Sequence, residues 1–193
     1  MVVSSSTKYL GGHSDIVGGS IVIKENKEYA EKISFIQNAV GAVPSPFDCY
    51  LLTRSIKTLS VRMKQHNENA IAVSNYLSNH PKIEKVFFPG NDKRHKEIAE
   101  KQMDGFGGMM SFVIDSDING VKTFLKNLNL FTLAESLGGV ESLIEHPAIM
   151  THASIDPSIR EKLGISETLL RISVGIEDVD DLISDLDQAL SKI

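Results

Sequence analysis

The sequence predicts an α/β protein: a short N-terminal segment of strand, loop and helix, a long connecting helix, and a closing α+β domain. Three observations predict it. Strand and helix signals alternate from Ile83 to the C-terminus, a helical apolar pattern runs from Phe47 to about Asn79, and residues 1–43 hold too little structure to enclose a core. The expected organisation is therefore three parts, residues 1–43, 44–80 and 81–193.

The first part reads as a strand stub at Met1-Val2-Val3, a loop, a strand near Ser20-Ile21-Val22-Ile23, and a helix from Glu28 to Val40. Gly41-Ala42-Val43-Pro44-Ser45-Pro46 is a breaker cluster. After it Leu52, Ile56, Leu59, Met63, Ala70, Val73 and Leu77 recur near helical spacing, and His80-Pro81 ends the pattern. The closing part alternates strand 86–88, helix 95–102, strand 110–114, helix 119–126, strand 170–174 and helix 179–190. In the last helix Leu182, Ile183, Leu186 and Leu190 form the apolar stripe. Asp178, Asp180 and Asp181 crowd its first turn, where acids complement the positive end of the helix dipole, and are read as helix-start chemistry rather than metal ligands.

Composition excludes several function classes. The 193 residues carry a formal net charge of -5 and no basic cluster, which gives no footing for nucleic acid or an anionic membrane surface. No apolar run approaches a membrane span, and the start lacks the three regions of a signal peptide. The single cysteine, Cys49, has no internal partner, so a reducing, cytoplasmic compartment is expected; among Phe47, Leu51 and Leu52 it reads as a small buried apolar residue. The six histidines show no metal-ligand spacing, and no metal is expected.

The chemistry concentrates at the start, in Ser5-Ser6-Thr7-Lys8-Tyr9-Leu10-Gly11-Gly12-His13-Ser14-Asp15. A lysine on a strand-ending loop becomes a nucleophilic amine where its surroundings disfavour the ammonium form. Hydroxyls at Ser5 and Thr7 suit a phosphate, and the glycine pair lets backbone approach a flat ligand. Together these features describe a Schiff-base lysine for pyridoxal phosphate (PLP).

That segment resembles the lysine signature of the Cys/Met-metabolism family of PLP-dependent enzymes. The resemblance continues in order through residues 37–50, then Leu130-Phe131-Thr132-Leu133-Ala134-Glu135-Ser136-Leu137-Gly138-Gly139, Pro147-Ala148-Ile149-Met150-Thr151-His152-Ala153-Ser154 and Leu170-Arg171-Ile172-Ser173-Val174-Gly175. It implies fold type I, the aspartate aminotransferase-like fold. Residues 1–43 are then a remnant of the PLP-binding large domain, and 81–193 a complete C-terminal domain.

The resemblance also implies roles. Lys8 would hold the cofactor and then move protons at the substrate's Cα and Cβ. Ser5 and Thr7 would donate to its phosphate, with His13 a structural residue beside the loop. Arg171 would grip the substrate α-carboxylate through a planar fork that a lysine lacks; taken alone it reads as a strand arginine in a salt bridge. Ser136 and Thr151, otherwise ordinary loop hydroxyls, would line the site. Glu135, otherwise a solvent-facing acid, matches the relatives that cleave cystathionine, whose distal ammonium an anion would attract. The implied reaction is α,γ-elimination of L-cystathionine to L-cysteine, 2-oxobutanoate and ammonia, with hydrogen sulfide release as a side activity. Alternatives are the γ-synthase direction or γ-elimination of methionine.

The resemblance covers the C-terminal half of a family chain. The aromatic residue stacking on the cofactor, the phosphate-binding glycine loop and the aspartate pairing with the pyridine nitrogen belong to the other half. So do a tyrosine and an arginine that the family supplies from a neighbouring subunit of its homotetramer, a dimer of dimers. Two expectations follow: part of an enzyme acting on a small amino-acid substrate, or a catalytically incompetent paralogue assembling with a full-length relative. This chain alone is expected to be inactive or weakly active, and its remnant to expose apolar surface. Gly11 stands where relatives usually carry asparagine and is expected to loosen the loop after Tyr9.

Overall fold

A computed structural model describes residues 1–91 and 93–193, without the side chains of residues 93–95. The chain divides into two compact units, Met1–Ser60 and Val61–Ile193.

In the first unit β1 (Val2–Ser5) pairs antiparallel with β2 (Gly19–Val22), Val2 opposite Val22 and Ser5 opposite Gly19. A wide turn at Ser6–Leu10 follows β1 directly. Helix α1 (Lys27–Val40) starts where the Asn26 side chain accepts from Tyr29 N at 3.0 Å and stops at Gly41, whose φ of +75° suits a residue without Cβ. Helix α2 (Pro46–Ile56) starts with Pro46 in its first turn and the Ser45 hydroxyl accepting from Asp48 N at 3.1 Å. Helix α1 is amphipathic yet buries no residue: Tyr29, Phe35, Ile36 and Val40 are all exposed. Among the described residues Ile16 is the unit's buried large apolar side chain. Two strands and two helices leave an apolar face uncovered, as their size dictates.

Two expectations are corrected here. The pattern from Phe47 to Asn79 is two helices, α2 and α3 (Leu59–Ser78), not one. Lys57 N and Thr58 N bond to Arg54 O and Ser55 O in tighter i→i+3 geometry, and the Thr58 hydroxyl donates to Ser55 O at 3.1 Å. A β-branched residue bonding back to the preceding turn ends the helix while the apolar spacing runs on. Cys49 is exposed on α2 rather than buried, because the face of α2 that carries it has nothing packed against it within its unit.

The second unit is a five-stranded sheet in the order β3 (Ile83–Phe87), β4 (Met109–Ile114), β7 (Leu169–Ser173), β6 (Leu143–Glu145), β5 (Thr132–Leu133); only β5–β6 is parallel. Helices α4 (Lys93–Gln102), α5 (Ile118–Asn127), α6 (Pro157–Lys162) and α7 (Val179–Leu190) complete it. Strands β5 and β6 and helix α6 are too short to have signalled themselves in the sequence. The core gathers Met110, Phe112, Ile114, Leu170 and Ile172 from the sheet with Val73, Leu77, Val121, Phe124, Leu182, Leu186 and Leu190 from the helices. Phe112 and Phe124 meet edge to face at 6.2 Å, and burying such a side chain contributes about 1.5–3 kcal/mol. Asp178 caps α7 by accepting from Asp180 N at 2.9 Å, and the described residues hold no group of three or more metal-ligating side chains. No helix among the described residues is long and apolar enough to cross a membrane.

Polar side chains pin the connections that carry the site. His66 Nδ1 donates to Val174 O at 2.7 Å, and Asn69 Nδ2 to Gly175 O and Glu177 O, tying α3 to the end of β7. Asp185 on α7 accepts from Asn129 N, Leu130 N and Phe131 N and so fixes the entry to β5. Burial opposes its ionisation, but the bonds from Leu130, Asn129 and Phe131 outweigh that and hold its carboxyl below the usual range.

Candidate active site

The predicted site residues fall in both units. Ser5, Thr7 and Lys8 share one turn of the first; Glu135, Ser136, Thr151 and Arg171 belong to the second.

In the first unit, Ser6 N donates to Gly18 O at 2.9 Å, Gly11 N to Ser6 O at 2.8 Å and Gly12 N to Lys8 O at 2.7 Å. These bonds close the turn around Lys8, which departs from helical geometry with φ -87° and ψ -135° and is half-buried. The Thr7 hydroxyl accepts from Gly18 N at 2.9 Å and donates to Gly18 O at 3.3 Å, while Ser5 is exposed. His13 Nδ1 donates to Gly11 O at 2.8 Å, which supports the turn from behind. Gly11 is buried rather than slack: an added Cβ would lie 2.7 Å from Ser6 O and 2.9 Å from the Ile16 side chain. The expected loosening after Tyr9 is thus corrected, since glycine is what lets the backbone close here.

This donor set fits the cofactor expected from the sequence. An amine and two hydroxyls lie within four residues on a closed turn. Ser5 is exposed, and the 3.3 Å bond from Thr7 to Gly18 O is long enough to be exchanged for a stronger, charge-assisted one. A cleft of about 350 Å³ borders Ser6, Gly18, Gln37, Pro44 and Asp48, and Lys8 is not among its lining residues.

In the second unit, Arg171 stands mid-strand on β7, between register partners Ser111 on β4 and Glu145 on β6. Its neighbours Leu170 and Ile172 are fully buried, so strand alternation turns Arg171 to the opposite face of the sheet. There its Nη2 pairs with Glu145 Oε2 and donates to Ser136 O at 3.1 Å. The Thr151 hydroxyl donates to Glu145 Oε1 and contacts His152 Nδ1 at 2.8 Å. Ser136 aims its carbonyl at Arg171 from a backbone φ of +93°, an uncommon conformation for a residue with a side chain. Gly138 N donates to Ser173 Oγ at 2.8 Å and braces the same loop. Glu135 is exposed immediately before Ser136.

The structure thus joins Arg171 to Ser136 directly and to Thr151 through Glu145. Glu145 and His152 had no role in the sequence reading. A three-residue strand gives little periodic signal; the one available clue was an acid directly before His146-Pro147, at the edge of a motif already singled out.

These features fit one class, enzymes that act on amino acids through pyridoxal phosphate. The chain belongs to the Cys/Met metabolism PLP-dependent enzyme family, whose model matches residues 1–191. It is 54% identical over 194 residues to cystathionine gamma-lyase of Dictyostelium discoideum, covering 100% of this chain and 50% of that one. It is 53% identical over 192 residues to cystathionine beta-lyase of Coxiella burnetii, covering 98% and 49%. Among solved structures, a cystathionine gamma synthase of Xanthomonas oryzae pv. oryzae in complex with aminoacrylate and cysteine superposes with a TM-score of 0.92 at 45% identity, covering 99% and 49%. The α/β, fold type I assignment and the family expected from the sequence are borne out. The chain spans about half the length of the relatives it matches.

Proposed function

We propose that this chain forms the lysine- and arginine-bearing half of a PLP-dependent enzyme that cleaves L-cystathionine by α,γ-elimination. When bound, the cofactor supplies the electron sink that makes carbanion character at the substrate affordable. The chain's residues do the rest. Ser5 and Thr7 donate to the cofactor phosphate. Lys8 holds the cofactor and, once displaced by substrate, moves protons at Cα and Cβ. It takes one from each carbon, so that the Cγ–S bond breaks and cysteine leaves with that bond's electron pair and takes up a proton. Arg171 takes the α-carboxylate, which orients Cα. Glu135 attracts the distal ammonium that distinguishes cystathionine from shorter amino acids.

The observation that carries this reading is the Ser136 O–Arg171 bond, which ties the Glu135 loop to the arginine on β7. An acid and a carboxylate-binding guanidinium then serve one substrate with a charge at each end. The keto acid released tests it. A preparation that includes the N-terminal half of a family chain should convert L-cystathionine to 2-oxobutanoate and cysteine, with hydrogen sulfide from cysteine as a minor product. Pyruvate with homocysteine would mean β-elimination, and no keto acid would overturn the reading.

A second reading has its own observation. Val17, Phe35, Val40 and Phe47 are each more than 65% exposed, an apolar surface that a partner subunit would cover. On that reading the chain is an assembly partner of a full-length relative. It would co-purify with that relative and bind no cofactor by itself, and stoichiometric cofactor on the isolated chain would contradict it.

A further inference from the structure

Glu145 is the most buried acid among the described residues of the second unit: its side chain is 1% exposed, against 28% for its partner Arg171. Both of the arginine's contacts, to Glu145 and to Ser136 O, engage Nη2, which fixes the plane of the guanidinium and leaves the Nη1 and Nε hydrogens, on separate sides of the group, to meet an incoming anion. The Glu145 carboxylate accepts from both neighbours, from Arg171 Nη2 at Oε2 and from the Thr151 hydroxyl at Oε1. The Thr151 hydroxyl therefore spends its one proton on Glu145 Oε1. Its 2.8 Å contact with His152 Nδ1 then works in one sense alone, with Nδ1–H donating to Thr151 Oγ1. Neutral His152 is thereby held in the Nδ1–H tautomer.

We propose that Glu145 is a positioning residue for Arg171, and that Thr151 and His152 act by holding Glu145 rather than by touching substrate. The donor chain runs His152 to Thr151 to Glu145, and the carboxylate in turn fixes Nη2 and with it the plane in which the remaining Nη1 and Nε hydrogens lie. The proposal rests on reading Arg171 as the grip for an α-carboxylate, and two separate readouts keep the two ideas apart.

The experiment is side-chain nitrogen NMR on the uniformly labelled 193-residue chain, with the Arg171 signal identified by its loss in Arg171→Lys. In the wild type His152 should carry its proton on Nδ1, and the Arg171 Nη hydrogens should exchange slowly with water. In Thr151→Val, which keeps side-chain shape without the hydroxyl, His152 should relax to its solution mixture of tautomers. Arg171 exchange should accelerate about tenfold, as expected for loss of a hydrogen bond to a charged group. Glu145→Gln should do the same, Thr151→Ser should restore both signatures, and the backbone signals of β4 and β7 should stay in place. Because Thr151 is at the surface, its variants keep the test alive if Glu145→Gln unfolds. Unchanged tautomer and exchange in Thr151→Val would overturn the proposal.

The second readout titrates L-cystathionine against the Arg171 Nε–H signal. Weaker binding in Thr151→Val and Glu145→Gln supports positioning. Tighter binding would make Glu145 a competitor for the arginine and would overturn it. If L-cystathionine leaves the wild-type signal unmoved while the first readout behaves as stated, the anchoring of Arg171 stands and its reading as a carboxylate grip falls.

Discussion

Glu145 and Arg171 are register partners across the β6–β7 pairing, a fully buried carboxylate paired with a partly exposed guanidinium on the sheet face opposite the core. Removing one member of a buried pair strands the other charge, whereas replacing both with apolar groups of similar volume is close to neutral. Glu145→Ala should therefore cost about 3 kcal/mol of stability in urea unfolding. Glu145→Leu combined with Arg171→Met should recover most of that loss. A single variant costing under about 1 kcal/mol would show that the pair is already solvated.

Three partly or fully buried histidines set a pH window. Burial lowers the pKa of His66 and His146 from the ordinary value, opposed by bonds to Val174 O and Glu167 O, and burial likewise lowers that of His80. The folded state thus keeps them neutral where the unfolded chain takes up protons, at about pH 6.5. Stability contributed this way is complete above that pH and is lost as pH falls through it. The urea midpoint of the wild type should drop between pH 7.5 and about pH 5.5, and the drop should shrink in His146→Phe. A midpoint flat across that range would contradict the shifts.

The motif turn makes a steric prediction. Gly11→Ala brings a Cβ to 2.7 Å from Ser6 O, an overpacking expected to cost about 1–3 kcal/mol. Gly41→Ala meets nothing within 4 Å and pays only for its φ of +75°, about 1 kcal/mol. Hydrogen exchange separates them: protection of the Gly11 and Gly12 amides should be lost in Gly11→Ala and kept in Gly41→Ala.

How far the sequence reached depended on the length of each signal. Helix α7 shows its apolar stripe and acidic first turn plainly, and it starts at Val179 and ends at Leu190 as read. Strands β4 and β7 lie within a residue of expectation because their apolar runs are long enough to register. The break at Lys57 and Thr58 was hidden, since one hydroxyl bonding to Ser55 O ends a helix without disturbing apolar spacing. The exposure of Cys49 was hidden too, because neighbouring apolar residues do not show which face finds a partner. In the site, the lysine turn and Arg171 were legible as residue types in motifs. Glu145 was not, because its importance comes from a cross-strand register that no local pattern displays.

The central claim is that Lys8 is the lysine that carries the cofactor, and borohydride reduction tests it most directly. A preparation that includes the N-terminal half of a family chain is loaded with pyridoxal phosphate, reduced, digested and mapped by mass spectrometry. The account predicts the phosphopyridoxyl mass on the peptide containing Lys8, with label and 2-oxobutanoate formation both abolished in Lys8→Ala. Label on another lysine, together with full turnover by Lys8→Ala, would contradict it.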